Sequence, residues 1–236
     1  GDLTGIRPTK IPMKLLEEGW KNTEIARYMR ETYGVSNEKT ALAITIANRE
    51  KALLQDLDYE NGYSLYVGIP FCPSICLYCS FGSHPLERWT KRVDEYLDTL
   101  CKELTFIREQ MGARKLTTVY IGGGTPTTLE PEQLRRLLSH IQKTFDFTWV
   151  KEYTVEAGRP DSITKEKLQV MKEFPVTRIS VNPQTMNQKT LDVIGRKHTV
   201  EDTVNIFHMA RELGFDNINM DLIVGLPGEE YEQVEH

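Results

Sequence analysis

Tyr66-Val67-Gly68-Ile69-Pro70-Phe71-Cys72-Pro73-Ser74-Ile75-Cys76-Leu77-Tyr78-Cys79 is the stretch from which the fold of this chain is read. Leu65, Val67 and Ile69 recur with the period of two that marks a strand. Pro70 has no N–H to give a neighbouring strand and breaks the run. The chain then delivers Cys72, Cys76 and Cys79 onto a loop, spaced C-x3-C-x2-C. Three soft thiolates at that spacing can hold three corners of a cubane iron–sulfur cluster. The fourth iron then lacks a protein ligand and is open to a substrate or cofactor. Two other readings stand beside this one. With His84 the cysteines make the Cys3His set of a structural zinc knot, although no second knuckle accompanies them. They could also be unreactive apolar packing, although three within eight residues is dense for packing alone.

Outward from this stretch, strands alternate with helices. The expected strands are 63–69, 117–121, 152–157, 178–181 and 218–224. Helices are expected at 91–111, 131–144 and 164–172, with helical segments near 187–195 and 200–213. Pro131 in the first turn and Glu132 beside it suit a helix start. Five such units predict an α/β fold with a parallel sheet. The chemistry-bearing residues fall at the C-terminal ends of the strands, where (β/α) barrels place their sites. A closed eight-stranded barrel takes about 250 residues, more than the span 61–236 holds.

Residues 1–60 show no strand alternation and form a helical lead-in, expected to pack on the main domain. A first helix runs through Leu15 and Leu16 to Gly19. A second, capped by Asn22 or Thr23, closes at Gly34. A third, capped by Ser36, runs through Ala41 to Leu57, and Lys39 stands where a full capping box would need an acid or amide. The segment invites a helix-turn-helix reading. However, Ala26 to Gly34 is too long a spacing for that motif, and nine basic residues face ten acidic ones. An upstream region is expected to precede Gly1.

With Lys plus Arg at 29 and Asp plus Glu at 34, the formal charge is −5, which argues against a nucleic-acid partner. No apolar run is long enough for a membrane span. Clustered thiols without partners suggest a reducing, cytoplasmic setting. Cys101, alone on an amphipathic helix, reads as core.

Further residues stand at the strand ends. Gly122-Gly123-Gly124-Thr125-Pro126 is neither a Walker loop nor a dinucleotide turn; it is either a tight turn or a backbone surface left open to a ligand. Glu156 closes an apolar strand, as a site acid or as a rim ion pair. Gln184, Arg196 and Asp221 follow in the later units, and a solvated surface position is an equal reading for Arg196. Tyr66 and Tyr78 would each read as core if taken singly.

The C-x3-C-x2-C loop, with Ile69-Pro70-Phe71-Cys72, Cys76-Leu77-Tyr78-Cys79 and Gly122-Gly123-Gly124-Thr125-Pro126, resembles the radical S-adenosylmethionine enzymes. Within them it is similar to the oxygen-independent coproporphyrinogen III oxidase family. The continuation Cys79-Ser80-Phe81-Gly82-Ser83-His84-Pro85 is most similar to its coproporphyrinogen dehydrogenase branch in Gram-positive anaerobes. The resemblance implies a partial TIM-like (β/α) barrel over 61–236, truncated after the fifth strand, and a [4Fe-4S] cluster on Cys72, Cys76 and Cys79, with S-adenosylmethionine on the fourth iron. It implies cofactor contacts from Tyr66, Tyr78, Gly122, Gly123, Gly124, Thr125, Glu156, Gln184, Arg196, Asp221 and Gly225. Arg196 would take the methionine carboxylate, Asp221 the sugar, and Ile223 with Gly225 the adenine. His198 would orient its segment.

The implied reaction turns two propionates of coproporphyrinogen III into vinyl groups, giving protoporphyrinogen IX, with an external electron donor and acceptor. The chain departs from the family at Gly68, where many members have His, and at Asn182-Pro183, where they have Gly-Val. Two rivals remain: a haem-binding chaperone sharing the fold, and a zinc-stabilised interaction module.

Overall fold

The computed structural model describes residues 7–58 and 61–235. The chain divides into two compact units, Gly1–Asp58 and Tyr59–His236.

In the first unit, α1 is Lys10–Glu17, α2 Asn22–Tyr33 and α3 Asn37–Leu54. Neither Asn22 nor Thr23 caps α2. Lys21 holds the extended cap conformation, and the Glu24 carboxylate accepts from its N–H at 2.8 Å. Asn22 is already helical, and its side chain accepts from Asn48 on α3 at 3.1 Å. Gly34 closes α2 in the left-handed conformation, and Ser36 caps α3 through the Lys39 N–H. Helix α3 therefore starts directly after its cap and ends at Leu54, earlier than the expected Leu57. Leu15, Leu16, Ile25, Met29, Ile44 and Ala47 form the core of this unit.

The second unit is a five-stranded, wholly parallel sheet in chain order: β1 Gly62–Ile69, β2 Lys115–Gly123, β3 Glu152–Glu156, β4 Arg178–Ser180 and β5 Ile218–Asn219. The linear order, without a reversal, is that of a barrel wall, and the unit is a partial (β/α) barrel. Helices α4 (Val93–Met111), α5 (Pro131–Thr144), α6 (Lys165–Lys172), α7 (Gln188–Val193) and α8 (Val200–Glu212) connect the strands or follow them.

One face of the sheet carries Leu65, Val67, Ile69, Val119, Ile121, Val155 and Ile179. They share a core with Leu97 and Leu104 of α4 and Leu134, Leu137, Leu138 and Ile141 of α5, all essentially buried. Burying one such side chain contributes about 1.5–3 kcal/mol. Cys101 is half-buried and outside this core, on the α4 flank near Arg136 and Asp98, which corrects its expected placement. Burial raises its thiol pKa.

Strand β5 is shorter than the expected 218–224. Its ladder with β4 lapses after Ser180–Asn219 and resumes only as an isolated bridge between Gln184 and Leu222. Pro183 lies in the gap and has no N–H to donate. Gln184, at φ 68, turns the chain back so that its N–H reaches Asp221 O at 3.0 Å.

Candidate active site

The cysteine loop is closed at its base. Phe71–Cys72 pairs in parallel with His84–Pro85, and His84 N–H donates to Pro70 O at 2.7 Å. Three ties hold the excursion between them. Leu77 N–H donates to Ile194 O at 3.0 Å. Ser74 Oγ donates to Gly195 O at 3.0 Å, and Arg159 Nη1 donates to Ser74 O at 2.9 Å. Cys72 and Cys76 are buried and Cys79 is half-buried. His84 is exposed, tilts against Trp89 at 5.2 Å, and lines a separate hollow with Pro70 and Phe71. It does not join the three cysteines as a fourth zinc ligand.

Against this loop lies the glycine run at the end of β2. Gly124 N–H donates to Ile69 O and Thr125 N–H to Phe71 O, each at 2.7 Å. A Cβ on Gly124 would lie 2.7 Å from Phe71 O and 3.0 Å from Cys72 Sγ. The missing side chain lets the two loops touch, and Thr125 Oγ1 then reaches Cys72 Sγ at 3.5 Å.

Cross-strand partners in a parallel sheet point to the same face, so two rows can be read from the register. One is Tyr66, Tyr120, Thr154 and Arg178; the next, one step toward the strand ends, is Gly68, Gly122, Glu156, Ser180 and Asn219. Gly122 leaves room in its row. A Cβ there would meet the Tyr120 ring at 2.7 Å and the Glu156 carboxylate at 3.0 Å. Tyr120 donates its hydroxyl to Glu156. Burial raises the Glu156 pKa, the Tyr120 hydrogen bond pulls it back, and Asp221 raises it again. Tyr66 stacks on Tyr120 at 5.8 Å and is 63% exposed.

The loops after β4 and α7 supply the opposite wall. Arg196 is buried, and donates Nη1 to Asn182 O at 2.8 Å and Nη2 to the Tyr78 hydroxyl at 3.0 Å. Burial pushes the Tyr78 pKa up to about 12, against the lowering effect of Arg196. Three buried polar atoms here have no protein partner among the described residues: Arg196 Nε, Asn182 Oδ1 and Ser180 Oγ. Buried polar atoms of that kind mark places for a ligand or water. His198 lies buried with both ring nitrogens unpartnered among the described residues, so no hydrogen bond from it orients the segment.

A single cavity of about 340 Å³ gathers most of the expected site. Cys72, Cys76, Cys79 and Tyr78 line it from the loop, Gly123, Gly124, Thr125 and Glu156 from β2 and β3, and Gln184, Arg196 and Asp221 from beyond β4 and β5. Tyr66, Gly122 and Gly225 are not among its lining residues. Tyr66 is on the open sheet face, Gly122 faces Glu156, and Gly225 is exposed at φ 85. Ser74, Arg159 and Asn182 line the cavity and were not expected as ligand-facing groups, nor was Tyr120 expected as partner to Glu156. An arginine two residues before Asp161, in a strand-end loop, was the available signal for Arg159. Among the described residues, no helix is long and apolar enough to cross a membrane.

A family model, the Radical SAM superfamily, matches residues 66–236. The oxygen-independent coproporphyrinogen-III oxidase-like protein HemZ of Bacillus subtilis (strain 168) is 42% identical over 240 residues, covering 100% of this chain and 48% of that protein. The heme chaperone HemW of the same organism is 41% identical over 174 residues, covering 73% of this chain and 45% of that protein. Among solved structures, coproporphyrinogen III oxidase (HemN) from Escherichia coli, described as a radical SAM enzyme, matches with a TM-score of 0.68. It is 31% identical, over 78% of this chain and 42% of that one. The chain thus spans about half the length of the curated relatives it matches.

Proposed function

The chain belongs to the radical SAM superfamily, whose cofactors are a [4Fe-4S] cluster and S-adenosylmethionine, and from that premise we propose that it serves oxygen-independent oxidative decarboxylation of coproporphyrinogen III. The observation that carries the reading is the convergence of three cysteine sulfurs and the strand-end polar residues on one cavity. The donor set suits both cofactors: soft sulfurs on one wall, and buried, unpartnered Arg196 Nε and Asn182 Oδ1 available for a ligand on the other. Cys72, Cys76 and Cys79 would hold the cluster, and S-adenosylmethionine would extend along Gly123, Gly124, Thr125, Glu156, Gln184, Arg196 and Asp221. Bound there, the pair supplies a carbon radical able to take hydrogen from an unactivated C–H bond.

The protein's own contribution is placement. The backbone of Gly123 and Gly124 gives close access, and a guanidinium fork at Arg196 suits a carboxylate. Glu156, kept in place by Tyr120, can accept a hydrogen bond from an amine or hydroxyl. The open face bearing Tyr66 and Tyr120 is where a flat tetrapyrrole would approach. Each of two propionates would lose a hydrogen atom, carbon dioxide and one electron to become vinyl. An external donor would feed the cluster, and an external acceptor would take the electron from the substrate. Unpaired, clustered thiols would suit a reducing cytoplasm.

A second reading, haem binding without oxidation, is favoured by the 41% identity to a heme chaperone. One experiment separates the two. The chain is reconstituted anaerobically with iron and sulfide and reduced with dithionite. It is given S-adenosylmethionine and coproporphyrinogen III, and assayed for 5′-deoxyadenosine and divinyl product; a parallel sample is titrated with haem. Deoxyadenosine that disappears in Cys76→Ala, with vinyl product, supports the oxidase reading. Tight haem retention without vinyl product moves the assignment to the chaperone.

A further inference from the structure

Arg159 follows β3 within Glu156-Ala157-Gly158-Arg159-Pro160-Asp161 and is 3% exposed. Its Nε and Nη2 form a two-pronged bridge to Asp161, at 3.0 and 2.9 Å. The remaining nitrogen faces away from that bridge. Nη1 lies 2.9 Å from both Ser74 O and Ser74 Oγ, and 3.7 Å from Cys76 Sγ. Asp161 fixes one edge of the planar fork, so the other edge is aimed at the cysteine loop. Burying a guanidinium is costly, and an ion pair alone could have been left at the surface. The position makes sense if the cation is wanted beside the two buried cysteines. Cys72 also receives a donor, from Thr125 Oγ1 at 3.5 Å.

The geometry points to Arg159 as a positioning residue that raises the reduction potential of the cluster held by Cys72, Cys76 and Cys79. It acts through an N–H directed at the Cys76 sulfur and through its positive charge. The inference rests on the cluster assignment made above. Reduction adds one negative charge to the cluster, and an adjacent cation and N–H donor stabilise that form more than the oxidised one. Asp161 lies on the far edge of the guanidinium and partly offsets its charge. The two residues should therefore act with opposite signs, which simple anchoring of a loop would not produce.

The test is a redox titration followed by electron paramagnetic resonance, with iron and sulfide counted per chain, on wild type, Arg159→Gln, Arg159→Lys and Asp161→Asn. At the wild-type midpoint, Arg159→Gln is expected to show a reduced-to-oxidised ratio at least tenfold lower, equal to about 59 mV for one electron. Arg159→Lys, which keeps the charge, should shift by less than half as much, and Asp161→Asn should shift the other way. If Arg159→Gln takes up no iron, the signs for Arg159→Lys and Asp161→Asn decide. A Gln midpoint within a threefold ratio of wild type, equal shifts for Gln and Lys, or a fall in Asp161→Asn overturns the inference while leaving the cluster assignment intact. Wild-type protein that takes up no iron overturns both.

Discussion

His198 offers a sharp test of how the cavity wall is built. It is 1% exposed, neither ring nitrogen has a partner among the described residues, and Arg196 and Arg159 lie near it. Burial first and then Arg196, with a smaller contribution from Arg159, lower its pKa from 6.5 to about 4, against the raising effects of Asp161 and Asp202. Between those values the unfolded chain binds the proton and the folded chain does not, so stability falls as pH falls through this window. A shift of that size is worth about 3 kcal/mol in full, of which about 2 kcal/mol is already lost at pH 5. With a urea slope of about 1–3 kcal/mol per molar, the midpoint should drop by about 1 M between pH 7.5 and 5. Carboxylates elsewhere also respond to acid, so the quantity to measure is the difference from His198→Leu, which cannot titrate and forfeits no hydrogen bond. A Trp20→Phe background leaves Trp89 and Trp149 as fluorophores, both in the barrel unit. Equal acid losses in the two proteins, or an imidazole titrating near 6.5 by NMR, would refute the reasoning.

Three further outcomes are expected. Tyr120→Phe removes the hydrogen bond that holds the Glu156 pKa down against burial. S-adenosylmethionine binding should then weaken at a higher pH on acidification than in wild type, and superimposable binding profiles between pH 8 and 5.5 would contradict this. Gly124→Ala forces a methyl onto Phe71 O and Cys72 Sγ, at a cost of about 1–3 kcal/mol. Iron per chain should fall below half, while Gly82→Ala, with nothing within 4 Å of the added carbon, should load normally. Ser36→Ala deletes the α3 cap and should lower the stability of the helical unit by about 1 kcal/mol in chemical denaturation; an unchanged midpoint would mean the cap is redundant.

Much of this structure was legible because the residues that build it carry local signals. Alternation through Leu65, Val67 and Ile69 marked β1, and Pro131 with Glu132 marked the start of α5. The strand-end positions of Cys72, Gly124 and Glu156 followed from the order of the units. What escaped depends on partners distant in sequence. The cap of α2 passed to Lys21 because Glu24 accepts from its N–H, and no preference at Asn22 or Thr23 could show that. The break in β5 originates in Pro183, on a different strand segment, so the apolar run 222–224 gave no warning. Gly122 was expected at the ligand, but its open side is taken by Glu156 and Tyr120, a consequence of register and not of motif. Arg159 had no pattern of its own beyond Asp161 nearby, and its value lies in Ser74 and Cys76, reached only after the sheet has formed.

The cysteine loop is braced by segments made long after it. The Arg159 tie to Ser74 spans 85 residues of sequence and the Ser74 tie to Gly195 spans 121. Contacts of such separation come with a loop-closure penalty and form late in folding. Arg159 and Gly195, which make these two ties, are translated well after the three thiols, whose local restraint is the pairing of Phe71–Cys72 with His84–Pro85. Metal captured then would meet a loop of the wrong shape, whereas metal delivered after β3 and the α7 turn have docked meets the finished cradle. Delivery of the metal after the sheet has formed would therefore suit this topology best.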